Sequence, residues 1–488
     1  MSTHEATATE RHGISQKTAV CVVYVAGLFL STLDMTIVNV ALPTIGRDFD
    51  VPSTSVDTVS ISYLVSLAVF VPASGWLGDR FGGKRTLLTA ITVFTVGSAL
   101  CGTAGSLGQL VVFRVLQGAG GGMLASVGMA MLLRTFAPAE RVRASAVLSI
   151  ANGLAPTLGP VLGGLLVSQV SWRAIFYVNV PVGLFATAFG LVYLHGQPSS
   201  PAEEFDLAGF ALAALGFGLL MYGVSEGPAH GWTTPTEAAC LAVGAVLTAA
   251  MVFVELRKRS PMIDVRLLRI RLFASGSTVM TVQSATFLGT LFTITLYFQD
   301  QRGMSPMAAG LSTFPEAMGV VLGSQLASRV LYRRLRPRRH LMLGAAGTSV
   351  AVALMGLLLH RNTGLWLVVL LLVALGLSVG QVFVGTQSAS FATVSAGSSG
   401  RASTLFNVGR RLGGAVGVAV ATTVLVAVGT SHPGAEPAIA GYHVTFLTLA
   451  AFNLLGLYAA SRVSDTEAAV TIPPPVHPVP HKEKEPQP

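Results

Sequence analysis

The sequence predicts an all-α integral membrane protein with fourteen spanning helices. Only 11% of its 488 residues are charged and 52% are hydrophobic, and the mean hydropathy is +0.66. A soluble domain carries about 25% charged residues, and a chain this apolar would aggregate in water through its exposed patches. The apolar residues also form runs of about 20, a length that crosses the hydrocarbon core of a bilayer.

Turn signals such as Gly82-Gly83 and Pro138 separate the apolar runs and so delimit the spans. The predicted spans are 18–42, 58–78, 86–105, 109–133, 144–168, 175–194, 207–225, 237–255, 273–298, 308–330, 340–360, 364–386, 403–428 and 440–461. The first run is too long for a signal peptide, so we interpret it as a span.

The short basic loop at 328–339 echoes the loop from Gly75 to Arg85, which suggests two related halves. We therefore predict five regions. These are a cytoplasmic N-terminal segment (1–17), an N-terminal six-helix bundle (18–194), two inserted linker helices with a loop (195–272), a C-terminal six-helix bundle (273–461) and a cytoplasmic tail (462–488). The tail is rich in Pro and charge from Ser464 onward, which predicts disorder.

The net charge of +9 is concentrated in alternate loops. The basic residues are Arg80, Lys84, Arg85, Arg134, Arg141, Arg143, Arg257, Lys258, Arg259, Arg266, Arg269, Arg271, Arg329, Arg333, Arg334, Arg336, Arg338 and Arg339. This positive-inside pattern places both termini in the cytoplasm. It excludes a nucleic-acid partner, because no soluble domain remains to present these side chains.

Asp34 is an acid inside the first span. It lies about 24 Å along the helix, beyond the midplane, where an ionisable group by default marks a function. We expect it to bind a proton or a substrate; the alternative is a structural acid that pins a neighbouring helix.

Arg114 lies in the fourth span. An arginine cannot lose its proton, so in a membrane it needs an anion, carbonyl groups or water. We expect it to pair with Asp34 and to control when that proton is released. The alternative is that Arg114 snorkels to the outer interface.

Gly153 to Gly164 in the fifth span is rich in Gly and Pro. Proline bends a helix and glycine allows close helix approach. The glycines and prolines of this segment are Gly153, Pro156, Gly159, Pro160, Gly163 and Gly164.

These segments together resemble the major facilitator superfamily, and within it the fourteen-helix drug:proton antiporters. The resemblance rests on the loop Gly75–Arg85, on Arg114 with Gln117 and Gly118, and on Gly153–Gly164. It continues in 33–43, 172–181, 205–209, 303–310 and 407–414, and so covers nearly the whole chain. It implies a major facilitator fold of two six-helix halves plus two central helices. The Gly153–Gly164 segment resembles the antiporter motif.

The resemblance also implies a mechanism, in which the two halves alternate between inward-open and outward-open states and exchange a proton for a substrate. Asp34 and Arg114 would couple the proton, and Asp34, Asn39, Gln117 and Glu316 would line the substrate cavity. The cytoplasmic gate would comprise Gly75, Asp79, Arg80, Gly82, Lys84 and Arg85, with Asp79, Arg80 and Arg85 contacting neighbouring helix ends.

Three residues depart from the family pattern. Thr58 stands where Trp is usual in the second span, Arg411 stands where Gln is usual after Arg410, and Glu316 is an acid inside the tenth span. We hypothesise that Glu316 is a second titratable group that favours cationic substrates; the alternative is an interfacial acid that reaches water or Arg302.

The expected function is proton-coupled export of a small amphipathic molecule, such as a drug, an antibiotic or a secreted metabolite. We expect a monomer in the cytoplasmic membrane of a bacterium, surrounded by lipid and driven by the proton gradient without a cofactor or metal. A carrier of one narrow substrate, such as a siderophore, lipid or nutrient, and a non-transporting sensor are the alternatives. An enzyme is excluded, because no catalytic grouping or metal-ligand spacing is present.

Overall fold

The structure, a computed structural model, describes residues 14–196, 204–258, 261–429 and 439–472. Within these ranges the chain is helical and contains no strand. In a bilayer, helices satisfy every backbone polar group internally, and apolar sequence of this length favours them. Several helices are capped at their N-terminus by a side chain. Ser15 accepts a hydrogen bond from the backbone N–H of Thr18, and Ser106 accepts one from that of Gln109.

In the described ranges, fourteen long helices form the bundle. They are α1 (Gln16–Asp48), α3 (Thr58–Phe81), α4 (Gly83–Thr103), α5 (Leu107–Thr135), α6 (Pro138–Gln169), α8 (Asn179–Tyr193), α9 (Leu207–His230), α10 (Pro235–Arg257), α11 (Arg271–Leu296), α13 (Phe314–Leu326), α14 (Tyr332–Leu358), α15 (Leu365–Ala389), α16 (Ser399–Gly429) and α17 (Ile439–Ser461). Four short helices are α2 (Ser53–Val56), α7 (Ala174–Tyr177), α12 (Pro306–Ser312) and α18 (Asp465–Ala468).

Thirteen helical segments of the described chain are long and apolar enough to cross a membrane. One of them, Met307–Leu358, has 52 residues, or about 78 Å of helix, enough to cross the hydrocarbon core twice. Its helical backbone is interrupted at Arg336 (φ 62°, ψ 160°), directly before Pro337. The prediction of fourteen spans is therefore confirmed.

The helices associate in two groups. The N-terminal group comprises α1, α3, α4, α5, α6 and α8, and the C-terminal group comprises α11, α13, α14, α15, α16 and α17. The two groups meet where α6 packs against α13 and α15, and where α16 packs against α3 and α5. The helices α9 and α10 pair with each other, and α9 packs against both α3 and α16. The predicted region boundaries stay predictions.

The basic residues lie where α3 meets α4, α5 meets α6, α10 meets α11 and α13 meets α14. These four connections are at one end of the bundle, which we call the basic end. The turn between α3 and α4 depends on Gly82, whose φ of 84° is in the left-handed region that favours glycine.

The prediction of disorder is wrong for the first part of the tail. Residues 464–472 form α18 and a 3₁₀ turn at the basic end, while 473–488 lie outside the described residues. Tyr332 and Thr471 share a hydrogen bond of 2.7 Å between their hydroxyls, and Asp465 Oδ1 accepts from the backbone of Arg338 at 2.8 Å. The composition of the tail could not show these contacts, because they depend on surfaces of the folded bundle.

Ile472 anchors this segment, because it is partly buried against an apolar cluster that includes Val142 of α6 and Tyr332 of α14. We expect Ile472→Glu to detach it, because a charged carboxylate is unfavourable against apolar side chains. A loss of about 1.4 kcal/mol would raise the detached population roughly 10-fold. Detachment would expose position 468, which is buried in the attached segment. After replacement of the three native cysteines, Ile472→Glu should therefore accelerate maleimide labelling of Ala468→Cys.

Val470 provides the matched control, because its side chain is 52% exposed. Val470→Glu should leave labelling slow. Equal labelling of the two variants would show that Ile472 does not hold the segment.

Candidate functional site

Asp34 lies inside the N-terminal group, and its side chain is fully buried. Oδ2 accepts a hydrogen bond from Arg114 Nη1 at 2.5 Å, and Oδ1 accepts from Gln117 Nε2 at 2.7 Å and from Asn179 Nδ2 at 3.1 Å. A carboxylate removed from water requires this degree of pairing. Asp34, Arg114, Gln117 and Asn179 form what we call the Asp34 network.

Arg114 is 1% exposed, so the snorkelling alternative does not hold in this conformation. Besides the carboxylate, Nε donates to the carbonyl of Val59 at 3.1 Å, and Nη1 donates to Gln117 Oε1 at 2.7 Å. The guanidinium also lies over the ring of Tyr63, 4.2 Å from the ring centroid. The hydrogen-bond partners of Asp34 come from α5 and α8, so this geometry also fits the alternative that Asp34 pins neighbouring helices.

The sequence of α5 builds this arrangement locally. Arg114 and Gln117 are three residues apart and so lie on the same face of the helix. The glycines that follow let α3 and α4 approach closely: a Cβ atom at Gly118 would lie 2.7 Å from the carbonyl oxygen of Tyr63, and one at Gly120 would lie 2.5 Å from the backbone nitrogen of Phe94. Larger residues would push these helices apart and spread the network.

Asn179 is a member that sequence reasoning missed as a site residue. It starts α8, is fully buried, and donates to Asp34 and to Ser98 Oγ, both at 3.1 Å. The sequence did mark Asn179, because it lies in the stretch 172–181 that resembles the family. The sequence could not show that its amide contacts Asp34, because the two residues are far apart along the chain.

We expect Asn179→Leu to destabilise the protein, because a hydrogen bond to a charged group contributes about 1.5–3 kcal/mol. Transport should fall roughly 10-fold, and the thermal unfolding midpoint of the purified protein should fall by several degrees. The control is Asn362→Leu at an exposed position in the α14–α15 loop. If Asn179→Leu behaved like this control, the amide would not hold the carboxylate.

The other two predicted cavity residues lie outside the network. Asn39 is exposed and accepts from Ser60 Oγ at 3.1 Å. Glu316 is 1% exposed, and both of its carboxylate oxygens lack a hydrogen-bond partner among the described residues. The alternative that Glu316 reaches water or Arg302 is therefore wrong here, since Arg302 donates instead to Tyr297 Oη and to the carbonyl of Thr363.

The basic end is closed by contacts between the two groups, which we call the basic-end latch. Asp79 Oδ1 accepts from Arg134 Nη2 at 2.5 Å, and Arg134 Nε donates to Ser399 Oγ at 3.2 Å. Gly400 lies against this pair, because a Cβ atom there would be 3.0 Å from Asp79 Oδ1. The acid of α3 and the arginine of α5 thus contact the start of α16.

The predicted gate residues contribute to different degrees. Gly75 is at the latch, whereas Arg80 and Arg85 are exposed and form no side-chain hydrogen bond or ion pair with the described residues. Lys84 Nζ donates to the carbonyl of Leu191 at the end of α8, at 3.0 Å. The partner of Asp79 is therefore Arg134, in the last turn of α5.

The Gly/Pro segment of α6 lies between α1 and the C-terminal group. A Cβ atom at Gly159 would be 2.0 Å from Thr36 Oγ1, and one at Gly163 would be 2.9 Å from the carbonyl of Ile37. On the other side, Gly153 faces Val320 at 2.9 Å. The remaining residues of the segment are Pro156 and Pro160, both inside the helix, and Gly164, beside Met307. The segment therefore packs closely against α1 on one side and against the C-terminal group on the other.

A fourteen-helix apolar bundle with a buried Asp–Arg pair, closed at one end by contacts between two helix groups, defines a multi-pass membrane transporter. The sequence profile of the Major Facilitator Superfamily matches residues 24–418. The chain belongs to this superfamily, whose members are transporters and not enzymes. The resemblance seen in the sequence is thereby confirmed.

Two bacterial relatives are similar along most of the chain. The tetracenomycin C resistance and export protein of Streptomyces glaucescens is 33% identical over 395 residues, covering 81% of this chain and 73% of the relative. The multidrug resistance protein Stp of Mycobacterium tuberculosis is 34% identical over 403 residues, covering 82% and 74%.

The crystal structure of the human organic anion transporter MFSD10 (TETRAN) is similar with a TM-score of 0.62. It covers 91% of this chain and 99% of that chain at 17% sequence identity. At this identity the similarity concerns the fold alone.

Proposed function

We propose that this protein is a proton-coupled antiporter that exports small amphipathic organic molecules by alternating access. The names of its relatives support export: one is a resistance and export protein for tetracenomycin C, and the other is a multidrug resistance protein. The class of cargo follows from the apolar helices that surround any internal site, because such a pocket admits largely apolar molecules.

The observation that carries the proposal is the buried pair of Asp34 and Arg114. Protonation of the carboxylate would remove its charge and leave the guanidinium without a counter-charge, among neutral acceptors such as Gln117 and the carbonyl of Val59. Breaking a buried ion pair on one side costs about 3–5 kcal/mol. That energy is large enough to change which of two conformations is favoured.

The latch supplies the second conformation-sensitive element. With the basic end closed, a proton reaches the network only from the opposite end of the bundle. A protonated network would then favour release of the latch and opening at the basic end, where the proton leaves and a substrate enters. Deprotonation restores the ion pair, and the substrate departs at the opposite end.

The charge pattern gives the orientation for this cycle. We propose that the basic end faces the cytoplasm of a bacterium, that both termini lie on that side, and that the protein works in the cytoplasmic membrane. The proton gradient then drives export directly, without a cofactor. A single chain contains both helix groups and the network, so we propose a monomer.

Dye or drug efflux from energised cells tests this proposal. We expect wild-type efflux to stop when a protonophore collapses the gradient, and to be absent from cells that carry the empty vector. Efflux that continues in the presence of the protonophore would exclude proton coupling.

A further inference from the structure

Arg410 and Arg411 lie next to each other in the middle of a spanning helix. They are the twelfth and thirteenth of the 31 residues of α16, about 18 Å from its start at the basic end. Both are only partly exposed. Two adjacent positive charges at this depth require a specific reason, because arginine cannot be neutralised by losing its proton.

Arg411 projects into the space between the two helix groups. Its Nη1 lies 2.9 Å from Met35 Sδ, and its Nη2 donates to Ser31 Oγ at 3.4 Å, both on α1. Its Nε is buried without a hydrogen-bond partner among the described residues. A thioether and a hydroxyl are weak acceptors for a guanidinium, so Arg411 retains unused hydrogen-bonding capacity.

Arg410 is held no more strongly. Its Nη2 donates to Asn407 Oδ1, on the same helix, at 3.3 Å. In the described part of the chain, neither Arg410 nor Arg411 pairs with a carboxylate. The contrast with Arg114 and Arg134 is direct, since each of those has an aspartate at 2.5 Å.

We infer that Arg410 and Arg411 form an anion-binding subsite of the transport pathway, and that the exported molecule is an amphipathic organic acid. This inference rests on the proposed transport function. A carboxylate or phenolate group would replace the missing counter-charge, because two guanidinium groups present planar donor forks that match such oxygens. The apolar body of the molecule would lie against the surrounding helices.

The subsite adjoins the Asp34 network. Ser31, which accepts from Arg411, lies 3.3 Å from Tyr63 Oη, and the ring of Tyr63 lies under the guanidinium of Arg114. An anion on Arg411 is therefore two side chains away from the Asp34–Arg114 pair. This proximity gives a physical route by which the bound acid affects the pair.

Equilibrium binding to purified protein in nanodiscs tests the inference without a proton gradient. The probes are two xanthene dyes, the anion fluorescein and the cation rhodamine 6G, measured by fluorescence anisotropy. We expect saturable binding of fluorescein, stronger than that of rhodamine 6G. Arg411→Gln should weaken fluorescein binding about 10- to 100-fold, as loss of a charge-assisted hydrogen bond predicts.

Two further variants test whether weaker binding by Arg411→Gln comes from the side chain lost at this position. The alternatives are a disturbed fold and the change in the total charge of the protein. Arg411→Lys keeps the positive charge but lacks the planar donor fork, so it should bind fluorescein with an affinity between those of wild type and Arg411→Gln. Arg269→Gln removes an exposed charge at the basic end and should change nothing.

Three results would overturn the inference: stronger binding of rhodamine 6G, which the hypothesis for Glu316 favours; no saturable binding of fluorescein; or equal fluorescein binding by wild type and Arg411→Gln. Because no gradient is involved, each of these results leaves the protonophore test of transport unaffected. Loss of proton coupling would conversely leave the binding result unaffected.

Discussion

Asp34→Asn should abolish gradient-driven efflux, with a fall of about 100-fold or more. Asparagine preserves the size of the side chain and a hydrogen-bond acceptor for Arg114, but it cannot bind and release a proton. The protein should therefore fold and reach the membrane, yet derive no energy from the gradient. The measurement is efflux in energised cells, normalised to the amount of protein in the membrane.

Substrate exchange provides the complementary measurement for Asp34→Asn. Exchange of labelled for unlabelled substrate across a vesicle membrane requires no net proton movement, so the variant should retain it. The matched control is Asp57→Asn, because Asp57 is exposed at the start of α3 and its side chain makes no capping hydrogen bond. Normal gradient-driven efflux by Asp34→Asn would exclude Asp34 as the proton carrier.

Gly75→Leu should prevent closure of the basic-end latch. A Cβ atom at Gly75 would already lie 2.9 Å from Thr404 Oγ1 and 3.2 Å from the backbone of Gly400, so a leucine side chain has no space between α3 and α16. Overpacking of this kind costs about 1–3 kcal/mol, which shifts the balance between closed and open states roughly 5- to 150-fold. Transport should fall by a similar factor.

Cysteine labelling reports the latch directly. Ser403 is fully buried in the closed latch and donates to the carbonyl of Ser126. Ser403→Cys should therefore label slowly from the basic end, and faster when combined with Gly75→Leu. The control is Gly108→Leu, because a Cβ atom at Gly108 would have nothing within 4 Å. Unchanged labelling and transport in Gly75→Leu would show that the latch does not move during transport.

The sequence predicts the number and order of the spanning helices well, because each apolar run of about 20 residues has one favourable place in a bilayer. It does not predict how the tenth and eleventh spans connect. There the helix continues through a π turn at Ala327–Leu331 and breaks only at Arg336, so thirteen segments account for fourteen crossings. The order of residues 464–472 was also missed, since it depends on contacts with a folded surface.

The candidate site could be predicted only in part. Asp34 and Arg114 were identified because ionisable residues inside spans are conspicuous, and the expected pairing between them is present. Asn179 and Arg134 were not identified as partners, because an Asn or Arg at the end of a span is ordinary in composition. Their roles appear only when α8 meets α1 and when α5 meets α3.

The subsite at Arg410 and Arg411 illustrates the same limit. The sequence showed Arg411 only as a departure from a pattern. The inference rests on the lack of a carboxylate partner for Arg410 and Arg411 among the described residues. Only the three-dimensional arrangement shows this. The contact between Arg411 and α1 likewise needs both helix groups in place.

Proton flux in reconstituted vesicles shows whether the protein exchanges protons for its cargo. Purified protein is placed in liposomes that enclose a pH-sensitive dye, and a gradient of a cargo identified in the efflux assay is imposed across the membrane. We expect protons to move opposite to the cargo, and this movement to be absent with Asp34→Asn. Cargo flux without proton movement, or proton movement in the same direction as the cargo, would contradict it.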